Sequence, residues 1–188
     1  MRQKLIFFLV IVGVSSAAYF FGVEAASFLN SMRTETKKKE NLKFRDLTLD
    51  KMQTIQIGER LPNHLFYELN GNMLELQKIR LQEVSIFTYA TTECHFCDEQ
   101  FEILSGFSAD STLMSRIWIV SPSNPFELFK LNKRFNNRFK ILYDHDSQFC
   151  DNLKIMTFPF HIIVESDFVI KDIVVGQMGT NEIKEILK

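Results

Sequence analysis

Two cysteines, Cys94 and Cys97, lie three positions apart, shortly after an apolar run that ends at Tyr89. Helical periodicity in the residues that follow indicates that the pair lies at the start of a helix. The first amides of a helix are unpaired and its dipole is positive there, so a thiolate at Cys94 is stabilised. Cys97, one turn further on, can attack a mixed disulfide formed at Cys94. The spacing therefore predicts thiol–disulfide exchange.

A zinc site and a permanent structural disulfide are the alternative interpretations of the cysteine pair. A structural zinc ion needs four ligands, usually in paired spacings. The chain has three cysteines and four histidines, and none of them forms a second such pair. A bridge between cysteines three positions apart closes too short a loop to add much stability. We therefore expect redox chemistry at the pair, with no metal and no cofactor.

The composition excludes several protein classes. With 188 residues, 46% of them hydrophobic, the chain can hold one domain with a substantial core and a targeting segment. Its formal net charge of -1 gives no general attraction to nucleic acid, so no nucleic-acid partner is expected. Three cysteines are too few for a small domain held together by disulfides.

Residues 5–23 form an uncharged, apolar run behind Arg2 and Lys4. At about 1.5 Å per residue, a helix of this length spans about 28 Å, close to the hydrocarbon thickness of a bilayer. We interpret residues 1–25 as a signal anchor that forms an N-terminal transmembrane helix. A signal peptide, removed to release a secreted protein, is the alternative. Both interpretations place the remaining chain outside the cytoplasm, on the periplasmic or extracellular face.

A polar, charged spacer over residues 26–56 precedes a folded domain over residues 57–188. Runs of β-branched and aromatic residues predict strands at 64–69, 73–76, 84–89, 116–120, 140–143, 161–165 and 169–175. Helices are expected after Cys94, from Pro125 to about Asn136, after the turn at 144–147, and from a cap at Thr180. The core face of the helix that starts at Pro125 is expected to hold Phe126, Phe129, Leu131 and Phe135. Strands that alternate with helices and end in a hairpin predict an α/β fold with a central mixed sheet flanked by helices.

The chain resembles the thioredoxin superfamily, in particular its membrane-anchored TlpA/ResA-like branch. The resemblance covers residues 57–188 and rests on Gly58-Glu59-Arg60-Leu61-Pro62, Asn70-Gly71-Asn72, the strand into Cys94-His95-Phe96-Cys97, Thr157-Phe158-Pro159 and the hairpin with Gly176. It implies a thioredoxin-like fold and a thiol–disulfide oxidoreductase that acts on protein thiols and disulfides. It also favours a reductant, with cytochrome c precursors as candidate substrates and a membrane thiol carrier as redox partner.

The resemblance assigns a role to each residue of the expected site. Cys94 is the attacking thiolate and Cys97 the resolving thiol. Pro159 is the cis-proline beside the cysteine pair, where its missing amide hydrogen leaves an open substrate edge. Phe158, together with Thr157, offers backbone groups to an extended substrate segment in the manner of strand addition.

Two positions depart from the thioredoxin pattern. Glu93 stands where a tryptophan usually precedes the first cysteine, and Thr88 replaces a buried carboxylate. A proton acceptor for Cys97 is therefore expected elsewhere, with Glu93 as the first candidate and Glu99 as the next. His95, between the cysteines, either tunes the redox potential by favouring the thiolate or is a solvated residue with no special role.

Two other functions are open alternatives. The segment Thr91-Thr92-Glu93-Cys94 matches the Thr-x-x-Cys part of a peroxiredoxin-like peroxidase site, although Phe87 stands where that site has proline. A redox-inert module that only presents a peptide-docking edge is the second alternative. The third cysteine, Cys150, is expected in the core beside Leu153, with a further redox role as the alternative.

Overall fold

The computed structural model describes residues 55–81 and 83–188. In this part of the chain the strands are β1 (Leu65–Glu68), β2 (Met73–Glu75), β3 (Ser85–Tyr89), β4 (Ile117–Ser121), β5 (Lys140–Tyr143), β6 (Phe160–Val164) and β7 (Ile170–Val175). The α-helices are α1 (His95–Ser105), α2 (Ser111–Ser115), α3 (Pro125–Arg134), α4 (Gln148–Leu153) and α5 (Thr180–Ile186). Each predicted strand is present, with ends that differ by at most one residue from the prediction.

All the strands belong to one mixed sheet, in the order β2-β1-β5-β4-β3-β6-β7. The strand β4 lies parallel to both β3 and β5, as crossovers through helices require. The strand β6 runs antiparallel to β3 and to β7, and β1 runs antiparallel to β5 and β2. The predicted α/β class with a central mixed sheet is therefore confirmed.

The central strand β3 is buried along its whole length, which explains why its sequence is an apolar run rather than an alternating one. Phe87 and Tyr89 point into a core on one sheet face. Ile86 and Ala90 point into a second core on the other face, which also contains Cys97 of α1. Because side chains alternate along a strand, β3 contributes to both cores, of which the second contains Cys97.

The helix α3 begins at Pro125 as predicted, but its core face differs from the prediction. The buried positions at and after this helix are Leu128, Leu131 and Phe135. Phe126 and Phe129 are 63% and 53% exposed, so their assignment to the core was wrong. Residues three or four apart share a helix face, and Phe126 and Phe129 share the solvent face. Lys130 covers the Phe126 ring at 4.3 Å from its centroid.

Helix α5 starts one residue earlier than its predicted cap implies. Gly179 is the N-cap, with an extended backbone, and Thr180 is the first helical residue. The Gly179 amide donates to the carboxylate of Glu182 at 3.3 Å. Thr180 as the cap was therefore wrong, because the backbone enters the helix at this residue and not after it.

The domain begins before its first strand. Ile55 is buried, Gly58 donates its amide to the Ile170 carbonyl at 2.8 Å, and Leu61 donates to Phe168. Among the described helices, none has the length and apolar character needed to cross a bilayer. The predicted signal anchor at residues 1–25 and nearly all of the predicted spacer lie outside the described residues.

Candidate active site

Cys94 is the N-cap of α1, the residue that leads the chain from β3 into the helix. Its backbone is extended (φ -98°, ψ 117°), and its Sγ accepts a hydrogen bond from the Cys97 amide at 3.2 Å. A side-chain acceptor at this position satisfies one of the unpaired amides at a helix start, as Ser or Asp does in other helices. A thiolate here also meets the positive end of the helix dipole. Cys94 is thus a half-buried free cysteine at the N-terminal end of α1.

Cys97 has a different environment, although it is only one helical turn away. It is fully buried against the core under α1. Burial raises the pKa of its thiol to about 12, and the neighbouring Cys94 thiol acts in the same direction. Contacts with Thr91 oppose this shift. At neutral pH the Cys97 thiol therefore stays protonated, while Cys94 is the accessible thiol of the pair.

The turn before β6 brings a second segment to the cysteines. The Phe158–Pro159 peptide bond is cis. The Phe158 carbonyl lies 3.7 Å from Cys94 Sγ, which donates to it as a thiol. The Pro159 carbonyl accepts from the Gly176 amide at 2.9 Å, and the Phe158 ring stacks on Tyr89 at a centroid distance of 5.5 Å. The cysteine pair and the Phe158–Pro159 turn, far apart in sequence, form one site.

Thr157 lies next to this turn with unused hydrogen-bonding groups. Its Oγ1 is buried and finds no partner within residues 55–81 and 83–188. Its backbone makes no hydrogen bond to the backbone of another described residue. Met156, just before it, is 61% exposed. At the edge that the sequence assigned to substrate, the backbone of Thr157 therefore makes no backbone hydrogen bond within the described residues.

Comparison with known proteins identifies the fold. No family model and no curated protein sequence matches the chain. The structure is similar to the thioredoxin domain of a thiol-disulfide oxidoreductase from Bacteroides vulgatus, with a TM-score of 0.55 and 15% identity over 71% of this chain and 99% of that one. The chain has a thioredoxin-like fold.

Two further solved structures agree. StoA from Bacillus subtilis has a TM-score of 0.54 and 16% identity, covering 68% of this chain and 98% of its own. A secreted Mycobacterium tuberculosis disulfide oxidoreductase homologous to Escherichia coli DsbE has a TM-score of 0.55 and 15% identity, covering 66% and 93%. At these identities the likeness establishes the thioredoxin-like fold, and the activity has to be argued from the site.

The two glutamates expected to serve Cys97 lie on the surface of this thioredoxin-like domain. Glu93 and Glu99 are exposed, whereas Cys97 is fully buried. One Glu99 oxygen lies 3.3 Å from His95 Nε2, and the other accepts from Gln177 at 2.5 Å. The tuning roles of Glu93 and His95 stay predictions, and both side chains lie at the surface beside Cys94.

A buried polar pair stands where the thioredoxin pattern has a buried acid. Thr88 Oγ1 lies 3.0 Å from Nδ1 of His161, and both side chains are fully buried. His161 Nε2 lies 3.0 Å from the Gly176 carbonyl, which can only accept, so Nε2 carries the hydrogen and Nδ1 accepts from Thr88. Burial lowers the pKa of His161 to about 3, so the pair is uncharged. Sequence reasoning missed His161, because nothing in the sequence shows that β6 pairs with β3.

A second buried cluster, around Asp144, holds the Tyr89 hydroxyl. The sequence did not reveal this cluster either. Tyr89 donates its hydroxyl to the fully buried Asp144 at 2.6 Å, and burial raises the pKa of this phenol. Asp144 also accepts from His64 at 3.3 Å and from the amides of Phe149 and Cys150. Cys150 is buried in the core opposite the one that holds Cys97, which confirms its predicted core position. Across the described ranges, no group of three or more potential ligands could hold a metal ion.

Proposed function

We propose that the protein is a thiol–disulfide oxidoreductase that exchanges disulfides with protein substrates through Cys94 and Cys97. The observation that carries the proposal is the position of Cys94 Sγ. It lies between the Cys97 amide at 3.2 Å and the Phe158 carbonyl at 3.7 Å, on an accessible helix start. The thioredoxin-like fold supports this function, as does its likeness to the disulfide oxidoreductase from Mycobacterium tuberculosis and the thiol-disulfide oxidoreductase from Bacteroides vulgatus.

In the first step, the Cys94 thiolate attacks one sulfur of a substrate disulfide. A bond forms between Cys94 and that sulfur, the substrate bond breaks, and the other substrate sulfur leaves as a thiolate. In the second step, Cys97 loses its proton to solvent and attacks Cys94 Sγ. The substrate leaves as a dithiol, and the protein keeps a Cys94–Cys97 disulfide. Two electrons have then passed from the protein to the substrate.

The Thr157–Pro159 segment is the proposed substrate edge. The Thr157 backbone makes no hydrogen bond to the backbone of another described residue, and Phe158 presents its carbonyl beside the reacting sulfur. Pro159 lacks an amide hydrogen, so it cannot close this edge by donating to a neighbouring strand. An extended substrate segment can add here, with its cysteine directed at Cys94.

We further propose that the domain works outside the cytoplasm, tethered by residues 1–25, and acts as a reductant. The apolar run at 5–23 supports export, and the TlpA/ResA-like motifs support the direction. Cytochrome c precursors are then candidate substrates. A membrane thiol carrier would reduce the Cys94–Cys97 disulfide after each turnover.

The reduction of disulfides in a model protein tests the proposed activity. The full-length chain, recharged by a dithiol, should reduce insulin, and Cys94→Ser should abolish this because the attacking thiolate is gone. Cys150→Ser should retain it, since that thiol lies in the other core. Peroxide consumption that survives Cys97→Ser would favour a peroxidase instead. Peptide binding without any exchange would favour a redox-inert docking module.

A further inference from the structure

The segment Gly176–Met178, which connects β7 to α5, hydrogen bonds with both halves of the site. We call this segment the strap. One set of its contacts reaches the Phe158–Pro159 turn and the buried pair behind it. The other set reaches the first turns of α1, which carries Cys97. Sequence reasoning attached no role to this connection beyond the presence of Gly176 in the final hairpin.

Gly176 joins the strap to the Pro159 side. Its amide donates to the Pro159 carbonyl at 2.9 Å, and its carbonyl accepts from His161 Nε2 at 3.0 Å. Its φ is +89°, a conformation that favours glycine. His161 is held in turn by the Thr88 hydroxyl at 3.0 Å. The buried, neutral imidazole of His161 therefore holds the Gly176 carbonyl in place. The amide of Gly176 in turn holds the Pro159 carbonyl.

Gln177 and Met178 join the strap to α1. The side-chain Nε2 of Gln177 donates to the carbonyl of Phe96, which lies between the two cysteines, at 3.1 Å. The Gln100 side chain accepts from the Met178 amide at 2.7 Å and donates to the Met178 carbonyl at 3.3 Å. Gln100 and Met178 are both fully buried. One side-chain amide thus satisfies both backbone groups of Met178, as a neighbouring strand would.

We propose that the strap fixes the spacing between α1 and the Phe158–Pro159 turn, with Gln100 and His161 as positioning residues for the resolving step. This inference rests on the proposed disulfide exchange. It assigns functional consequences to residues that touch neither the substrate nor the reacting sulfurs.

The resolving step is the one that depends on this spacing. Gln100 lies one turn after Cys97 on the same helix, so its bonds to Met178 set the depth and angle of Cys97. In the mixed disulfide, Cys94 is bonded to a substrate lying along Phe158, and Cys97 must approach Cys94 Sγ in line with that bond. A displacement of about 1 Å in such a geometry can cost up to about a hundredfold in rate. The first attack needs only the accessible Cys94.

Dithiobisnitrobenzoate separates the two steps in the full-length chain. Attack by Cys94 releases one coloured thiolate and leaves a mixed disulfide, and attack by Cys97 releases the second thiolate. Every variant carries Cys150→Ala, so that only the two site thiols react. Gln177→Ala and Gln100→Leu break the α1 side of the strap, and His161→Leu breaks the other side. His161→Gln keeps an N–H donor for the Gly176 carbonyl.

The inference predicts that Gln100→Leu and His161→Leu slow the second release by at least about tenfold, with an unchanged first release. Gln177→Ala, an exposed change that spares the core, should slow it by a smaller factor, and His161→Gln should recover most of the rate. Gln77→Ala is the matched surface control for Gln177→Ala. Ile119→Ala controls for lost stability in the core that contains Cys97. Both should keep the original second release.

An unchanged second release in Gln177→Ala and in folded Gln100→Leu would overturn the inference while leaving the disulfide exchange intact. Equal slowing in Ile119→Ala would also overturn it, because general destabilisation would then explain the effect. A different failure is the absence of any second release from the Cys150→Ala chain. That result would contradict the proposed disulfide exchange through Cys94 and Cys97.

Discussion

At the scale of single residues, the thiols of Cys94 and Cys97 are chemically identical, but their surroundings give them different properties. Cys94 caps α1 and is accessible, whereas Cys97 is fully buried with a pKa raised to about 12 by burial first. In the proposed mechanism this difference suits sequential attack, since the buried, protonated Cys97 does not compete with Cys94 for the substrate. The Thr88–His161 pair, which stands where the thioredoxin pattern has a buried acid, is uncharged.

His161 gives the fold a defined sensitivity to acid. Burial lowers its pKa from 6.5 to about 3, so between these values the unfolded chain binds a proton that the folded chain does not. Its contribution to stability is therefore present above about pH 6.5 and is lost as the pH falls towards 3. Between pH 7 and pH 5 we expect the contribution of His161 to the free energy of unfolding to fall by about 2 kcal/mol.

Urea unfolding of the reduced protein at both pH values measures this loss. The variant His161→Gln cannot titrate and should lose about 2 kcal/mol less than the original chain over the same interval. His64, whose pKa is lowered by desolvation, contributes in the same direction in both proteins and cancels in the comparison. Equal losses in the two proteins would show that His161 is not held neutral.

At the scale of elements, Asp144 connects β3, β5 and α4. It follows β5, accepts the hydroxyl of Tyr89 at the end of β3, and accepts amides at the start of α4. Tyr89 in turn stacks on Phe158. The connection therefore extends from a buried carboxylate to the proposed substrate edge through the rings of Tyr89 and Phe158.

Tyr89→Phe tests this connection. The change leaves the ring in place but removes one donor from a fully buried carboxylate, which should cost about 1–3 kcal/mol in the free energy of unfolding. Chemical denaturation at neutral pH measures the loss. Tyr67→Phe, at a half-buried position on β1, is the matched control and should change stability by less than about 0.5 kcal/mol. A loss below about 0.5 kcal/mol in Tyr89→Phe would show that the Tyr89 hydroxyl adds little to stability.

Much of the element pattern follows from the sequence, because apolar runs, turn residues and helix starts are local signals. The strand ends, the helix start at Pro125 and the placement of Cys94 before α1 were all predicted. Local patterns do not show which strands become neighbours. The Thr88–His161 pair and the Tyr89–Asp144 contact depend on strand order and register, so they became visible only in the fold. The prediction placed Phe126 in the core, because the sequence alone does not distinguish an aromatic residue on a solvent-exposed helix face from one in the core.

At the scale of the whole molecule, the proposed direction of electron flow is open to one equilibrium measurement. A reductant should have a Cys94–Cys97 reduction potential below about -180 mV, on the reducing side of protein disulfide isomerase. Equilibration of the full-length chain in detergent with defined dithiol buffers, followed by thiol alkylation, gives the value. A potential near about -120 mV would instead indicate an oxidant.

The central claim is that Cys94 bonds covalently to substrate and that Cys97 resolves the bond. Mass spectrometry of the full-length Cys97→Ser variant, mixed with an oxidised protein and quenched in acid, tests it most directly. The account predicts a stable mixed disulfide between the substrate and Cys94 in this variant, and none in Cys94→Ser. A variant with Cys97→Ser that forms no mixed disulfide, or forms it at Cys150, would contradict the account.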